Sequence, residues 1–134
     1  LLLKPTKIYV KSIMHLMSKI KIKGMAHITG GGLSENIPRI LNEHVGVEID
    51  QDWHVDDIFR IIKYKANLSQ QEMLKTFNCG IGMVVIIKSE VVITELDAKM
   101  RTFGLQRIGK LFAYDSDSDS NMGCEQIKIS VDLF

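Results

Sequence analysis

The residues best suited to chemistry are three consecutive glycines, Gly30 to Gly32, which follow the β-prone run Met25 to Thr29. Glycine adopts positive φ and lets the backbone approach a ligand closely. The apolar residues that follow have helical spacing: Leu33, Ile37, Ile40 and Leu41. The unpaired N–H groups and the dipole at the start of a helix favour negative charge. The sequence therefore predicts an anion site in this strand, turn and helix, with phosphate as the obvious ligand.

His27 is the one histidine beside the glycine turn. Strand alternation puts it on the same face as Met25 and Thr29. Taken alone, its position favours a hydrogen-bonded structural residue over a catalytic one. Because no nucleophile, base and orienting group come together in the sequence, no catalytic triad is predicted.

A dinucleotide site is an alternative for the same segment. Gly30 and Gly32 follow one strand, and Asp50 ends the next strand, where an acidic residue could bind a ribose hydroxyl. The segment is interpreted as βαβ-like. The third glycine position is Glu35, however, and the intervening helix is short, so the dinucleotide reading is disfavoured.

A calcium loop is a second alternative, suggested by Asp115, Asp117 and Asp119. The sixth position is Ser120 instead of glycine, and the twelfth is Gln126 instead of glutamate. A mobile acidic hairpin loop is therefore predicted, and no metal site.

Periodicity and turn residues predict the elements that position the glycine turn. Ser69 and Glu72 have capping-box spacing, which marks the start of a helix. The apolar run at 84–87 is predicted to be the central strand, buried on both faces. The remaining helices are predicted from the N-cap Thr6 to Gly24, at 55–66 with the buried stripe Val55, Ile58, Phe59, Ile61 and Ile62, and at 89–103, ended by Gly104. The remaining strands are predicted at 25–29, 45–50, 107–114 and 126–133, the last two joined by the acidic loop.

Length and composition indicate one ordinary globular domain. The chain has 134 residues, 46% hydrophobic and 25% charged, with a net charge of +1. That charge argues against a nucleic-acid partner, and the longest apolar run, Met83 to Ile87, is too short to span a membrane. Cys79 and Cys124 form neither a zinc motif nor a disulfide framework. A cytoplasmic location is predicted, and the start at Leu1 is interpreted as that of a fragment.

Three blocks along the chain resemble one enzyme family, the phosphoribosylformylglycinamidine cyclo-ligases, also called aminoimidazole ribonucleotide synthetases. The blocks resemble the C-terminal domain of that family and occur in the same order. They are Leu3 to Val10, Gly24 to Arg39 and Phe77 to Met83.

The resemblance implies a reaction in de novo purine synthesis, in which ATP activates the formyl oxygen of formylglycinamidine ribonucleotide and the substrate's own nitrogen closes the imidazole ring. It implies an α+β fold, with helices packed on a mixed, partly ferredoxin-like sheet. It also implies a homodimer and an N-terminal domain, absent from residues 1–134, that binds most of the ATP and Mg²⁺. This chain is therefore predicted to be inactive alone.

The resemblance also implies site residues. Its glycine loop corresponds to Thr29, Gly30, Gly31 and Gly32, with Asn36 and Arg39 following. We expect the backbone amides to hold a phosphate, most plausibly the ribose 5′-phosphate, with Thr29 and Asn36 assisting. His27 is the candidate for orientation or proton transfer.

This chain departs from the family at Cys79, where methionine is usual, and at Asp57, where proline is frequent. Two alternatives remain open. One is a related enzyme of the same superfamily, since the enzymes that make selenophosphate, thiamine diphosphate or the amidine precursor share this architecture. The other is a non-catalytic module that binds a phosphorylated metabolite or a protein.

Overall fold

The computed structural model describes residues 5–88, 104–115 and 126–134. They belong to two compact units, Leu1–Met25 with Val85–Gln106, and Ala26–Val84 with Arg107–Phe134. The helices are α1 (Val10–Met17), α2 (Gly32–Asn36), α3 (Asp57–Ala66) and α4 (Gln70–Thr76), and a 3-10 turn spans Pro38–Ile40. The strands are β1 (Ile22–His27), β2 (Val45–Ile49), β3 (Met83–Ile87), β4 (Gly109–Ala113) and β5 (Ile127–Ile129).

Helix α1 is shorter than predicted. It begins after Tyr9 instead of Thr6, and it ends at Met17, where Ser18 donates its N–H to Met14 and its hydroxyl to the carbonyl of His15. The prediction of a helix reaching Gly24 was wrong because lysine and isoleucine alternate from Lys19 to Lys23. That alternation has the period of a strand, and β1 begins within it.

Strands β1 and β3 pair in a two-stranded sheet. The predicted alternation around β1 is confirmed, because Ala26 and Ile28 are buried whereas His27 and Thr29 are exposed. Strand β3 was predicted to be a central strand buried on both faces, and this prediction was wrong. All five of its residues are partly exposed, and within the described ranges its partner is β1 alone, so it is an edge strand there.

The other sheet has the order β4-β2-β5 and lies in the second unit. Strand β2 pairs antiparallel with β4, Val47 opposite Leu111, and parallel with β5, Val47 opposite Ile127. The predicted α+β class with a mixed sheet is therefore confirmed.

Two predicted connections were wrong. Strands β1 and β2 lie in different sheets, so the segment is not a βαβ unit. Strands β4 and β5 do not form a hairpin because β2 lies between them. Short-range patterns identify strands, but each strand's partner depends on residues far away in sequence.

The capping box at α4 is confirmed. The Ser69 N–H donates to Glu72 Oε2 at 2.7 Å, and the Glu72 N–H donates to Ser69 Oγ at 3.2 Å. Hydrogen bonds from the backbone and hydroxyl of Ser69 lower the pKa of the Glu72 carboxyl. The capping box thus stabilises the N-terminus of α4, and the helix buries Met73 and Leu74.

Helix α3 begins two residues later than predicted. Val55 is buried just before it, and Phe59 and Ile62 pack against the core, but Ile61 is 54% exposed. Including Ile61 in the buried stripe was wrong, because it lies on the outer face with Tyr64, three residues further on.

The hydrophobic core of the second unit surrounds Trp53 and Cys79. Its buried residues include Ile28, Leu33, Ile37, Val47, Ile49, Val55, Met73 and Leu74. The Trp53 indole donates to the Cys79 carbonyl at 2.8 Å, and burial raises the pKa of the Cys79 thiol to about 11. Cys79 is therefore a buried packing residue.

Several predictions lie outside the described residues: the helix at 89–103, most of the acidic loop, and Cys124. Gly104 is described and has a left-handed φ of +67°, which suits the end of a helix. None of the helices in the described part of the chain has the length and apolar character needed to cross a membrane.

Candidate functional site

The glycine loop, residues 29–32, connects β1 to α2 within the second unit. Gly31 and Gly32 have left-handed φ angles of +92° and +55°. The Gly32 N–H donates to the Thr29 carbonyl at 3.0 Å, which closes a tight turn. Glycine at these two positions therefore has a conformational reason, since L side chains rarely adopt such φ angles.

The three glycines have different surroundings. A Cβ at Gly32 would overlap the carbonyl oxygen of Leu74 and lie 2.8 Å from that of Phe77, so Gly32 lets the loop pack on the end of α4. A Cβ at Gly31 would lie 2.5 Å from Glu35 Oε2. A Cβ at Gly30 would meet no atom of the described part of the chain within 4 Å. Gly30 is thus the position that a ligand could approach without displacing protein atoms.

The Asn36 side chain is hydrogen-bonded to the backbone of the glycine loop. It is 8% exposed, and its side-chain amide donates to the carbonyls of Gly30, at 3.1 Å, and Gly32, at 2.8 Å. A side-chain amide has two N–H hydrogens, and these two bonds use both. Asn36 therefore fixes the shape of the turn, and its amide has no further hydrogen to offer a phosphate.

The backbone amides at the tip of the turn differ from that of Gly32. Among the residues that the structure describes, none accepts a hydrogen bond from the N–H of Gly30 or Gly31. Thr29 and His27 are exposed on the same side of the chain as it leaves β1. The loop thus presents two backbone donors, with a hydroxyl and an imidazole preceding them in sequence.

Sequence reasoning missed Glu35 as part of this region. Its carboxylate lies against Gly31, and Arg39 Nη2 is 3.5 Å from Glu35 Oε2. The i, i+4 spacing of Glu35 and Arg39 suggests such a pair, but the proximity to Gly31 depends on the turn geometry.

Asp50, the residue considered for a dinucleotide site, belongs to a charged cluster on the β2–β4 sheet. Its Oδ2 lies 2.9 Å from Arg107 Nη2 and 3.5 Å from Lys110 Nζ. Its Oδ1 is buried and has no hydrogen-bond partner among the described residues. Lys110 also lies 3.2 Å from Glu48, and these contacts raise its pKa. This pairing gives Asp50 a structural role in the sheet.

No cluster of three or more His, Cys, Asp or Glu side chains that could hold a metal ion occurs within residues 5–88, 104–115 and 126–134. The described residues therefore offer no such carboxylate cluster to a Mg²⁺ ion.

Comparisons with known proteins agree on one family. Residues 1–118 match the family described as AIR synthase related protein, C-terminal domain. The chain is 52% identical over 89 residues to phosphoribosylformylglycinamidine cyclo-ligase of Methylobacillus flagellatus. The aligned residues make up 66% of this chain and 26% of that protein. The chain is also 53% identical over 92 residues to the enzyme of the same name from Alkaliphilus oremlandii, covering 68% and 27%.

A eukaryotic protein is similar over more of the chain. The bifunctional purine biosynthetic protein ADE1 of Schizosaccharomyces pombe is 46% identical over 122 residues, which is 88% of this chain and 15% of that protein. The chain thus spans about a quarter, or less, of the length of these relatives.

Proposed function

The chain belongs to the family of C-terminal domains of AIR synthase related proteins, and we propose that it is the C-terminal domain of a phosphoribosylformylglycinamidine cyclo-ligase. The proposed reaction converts formylglycinamidine ribonucleotide to aminoimidazole ribonucleotide in purine synthesis. ATP is the proposed second substrate, with Mg²⁺. The names of the bacterial relatives and their identities of 52% and 53% support this proposal.

The proposed role of this domain is to bind the substrate's phosphate at the glycine loop. The observation that carries it is the pair of N–H groups, on Gly30 and Gly31, for which the described residues offer no acceptor, beside the open space at Gly30. Successive backbone donors without a protein acceptor suit an anionic oxygen. The ribose 5′-phosphate is the phosphate that we assign to them.

Side chains around the loop have separate proposed roles. Thr29 lies at the entrance of the turn and can donate its hydroxyl to the phosphate. Asn36 acts through the backbone, because its amide is bonded to Gly30 and Gly32. His27 is the proposed group for orienting the substrate or moving a proton, since it precedes the turn on the exposed side of β1.

The partners proposed for this domain come from the longer relatives. We propose an N-terminal domain that carries most of the ATP and Mg²⁺ contacts, a homodimer of the complete protein, and a cytoplasmic location. The shares of 26% and 27% that the chain covers in the bacterial enzymes support a further domain.

This chain alone should not close the imidazole ring. When it is incubated with ATP, Mg²⁺ and formylglycinamidine ribonucleotide, we expect no aminoimidazole ribonucleotide, measured by chromatography of the products. Product formed by the chain alone would contradict the assignment of the ATP contacts to another domain.

Binding by the loop can be measured on this chain with ribose 5-phosphate, by following backbone amide signals in NMR titrations. The Gly30→Val variant should lose at least about tenfold in affinity, because the added side chain covers the two donors at a cost above about 1.4 kcal/mol. Its thermal unfolding should change little, since a Cβ at Gly30 meets nothing within 4 Å.

The control is Ala113→Val, which creates the same valine side chain by adding its two γ-methyl groups at an exposed strand position outside the loop. It should bind ribose 5-phosphate like the wild type. Equal affinity of wild type and Gly30→Val would assign the glycines a purely structural role and favour the alternative of a module that binds its partner elsewhere.

A further inference from the structure

A carboxylate lies beside Gly31, one of the two glycines whose N–H groups have no acceptor among the described residues. A Cβ built on Gly31 would be 2.5 Å from Glu35 Oε2 and 2.9 Å from Glu35 Cβ, so the Glu35 side chain packs against the Cα of Gly31. The Glu35 N–H also donates to the Gly31 carbonyl at 3.0 Å, which ties the two residues together. A negative charge in this position opposes the binding of an anion, because like charges repel.

Arg39 compensates for that charge through a weak ion pair. Its Nη2 lies 3.5 Å from Glu35 Oε2, and the two side chains are 65% and 44% exposed. Exposed pairs of this kind contribute about 0–1 kcal/mol. The guanidinium can therefore leave the carboxylate at little cost.

A phosphate monoester is a better partner for Arg39 than this single long contact. Arginine binds phosphate through two parallel N–H···O bonds, which are short and charge-assisted. Glu35 and Arg39 are one helical turn apart, so an anion beside Gly31 would lie near both side chains.

We propose that Glu35 and Arg39 form an exchangeable charge pair that controls access of phosphate monoesters to the glycine loop. Before binding, the Glu35 carboxylate lies against Gly31 and pairs with Arg39. When a phosphate enters, the Arg39 guanidinium leaves Glu35 and binds the phosphate instead. Arg39 thereby selects charged phosphate esters, and Glu35 discriminates against ligands that cannot displace it. This inference rests on the proposed binding of phosphate at the loop.

The test is a double-mutant cycle on this chain, with ribose 5-phosphate as the probe and ribose as the uncharged comparison, both followed by NMR titration. Glu35→Gln should raise the affinity about three- to fivefold, and Arg39→Gln should lower it by a similar factor. In the Glu35→Gln background, loss of Arg39 should cost about tenfold, because the arginine no longer has to leave a carboxylate.

Matched controls make the same charge changes at exposed positions outside the loop. Glu43→Gln and Lys65→Gln should leave the affinity for ribose 5-phosphate unchanged, and ribose should bind no variant measurably. All variants should unfold at the wild-type temperature, since the pair contributes little to stability.

The outcomes separate this inference from the proposed function. If Gly30→Val loses binding but the effects of Glu35→Gln and Arg39→Gln simply add, or equal those of the controls, phosphate binding stands and the exchange is wrong. If the wild type does not bind ribose 5-phosphate, both are wrong.

Discussion

Two glycine turns of the second unit border strands, but they use their backbone polar groups differently. The glycine loop at 29–32 leaves β1, and a second turn at 78–82 leads into β3. Both contain two consecutive residues with left-handed φ, Gly31 and Gly32 in the first and Cys79 and Gly80 in the second. From the glycine content alone, either turn could approach a ligand.

Several backbone groups of the second turn form hydrogen bonds with other groups of the protein. The Gly80 N–H donates to Asn78 Oδ1 at 3.1 Å, and the Ile81 N–H donates to the Asn78 carbonyl at 2.9 Å. The Cys79 carbonyl accepts from Trp53, and the Gly82 carbonyl accepts from Ile28 at 3.0 Å. These bonds tie the turn to Trp53 and Ile28, and they hold Cys79 in the core while Gly80 stays exposed.

In the glycine loop, the carbonyls of Gly30 and Gly32 are satisfied by Asn36, while the N–H groups of Gly30 and Gly31 have no acceptor among the described residues. Gly30 is exposed and Gly31 is half-buried, and donors in a fixed turn that have no protein acceptor say more about a possible ligand than glycine content does. The two turns therefore differ at their glycines: the Gly80 N–H has a side-chain acceptor, whereas the N–H groups of Gly30 and Gly31 have none among the described residues.

The largest effect is expected at Gly32. Gly32→Ala would combine a left-handed backbone, costing about 1–2 kcal/mol for an L side chain, with overlap against the Leu74 carbonyl, costing about 1–3 kcal/mol more. We expect a loss of about 3–4 kcal/mol in the free energy of unfolding, measured by urea denaturation.

The matched variant in the other turn is Gly80→Ala. Its Cβ would meet the His54 carbonyl at 3.4 Å, so only the backbone term of about 1–2 kcal/mol applies. Equal losses for the two variants would mean that α4 yields to the new side chain, and that the packing of Gly32 on α4 is not what requires glycine there.

Features that depend on nearby residues were predictable from the sequence. The alternation around β1, the capping box of Ser69 and Glu72, and the short helix after the glycines all follow from patterns within a few residues. The placement of β4 and β5 on opposite edges of β2 was not predictable in this way. It depends on pairings between residues more than fifty positions apart, such as Val47 with Leu111 and with Ile127.

The candidate site was predictable in its position but not in its detail. Three glycines after a strand indicate the loop, and the family blocks indicate a phosphate. The roles of Asn36 and Glu35 depend on the turn that Gly31 and Gly32 adopt, because only that turn brings the Gly30 and Gly32 carbonyls to the Asn36 amide and Gly31 to the Glu35 carboxylate. Glycine permits many conformations, so the sequence alone does not specify this one.

A smaller effect is expected at Trp53, and it tests whether the two turns are functionally separate. Trp53→Phe removes the indole donor and leaves the buried Cys79 carbonyl without its partner, at a cost of about 1–3 kcal/mol. We therefore expect the free energy of unfolding to fall by about 2 kcal/mol in urea, with unchanged affinity for ribose 5-phosphate. The control is Tyr64→Phe, whose side chain is 83% exposed and should change neither quantity. If the Trp53→Phe protein folds but no longer binds ribose 5-phosphate, the two turns are not separate. The conformation of the glycine loop would then depend on the buried hydrogen bond between Trp53 and Cys79.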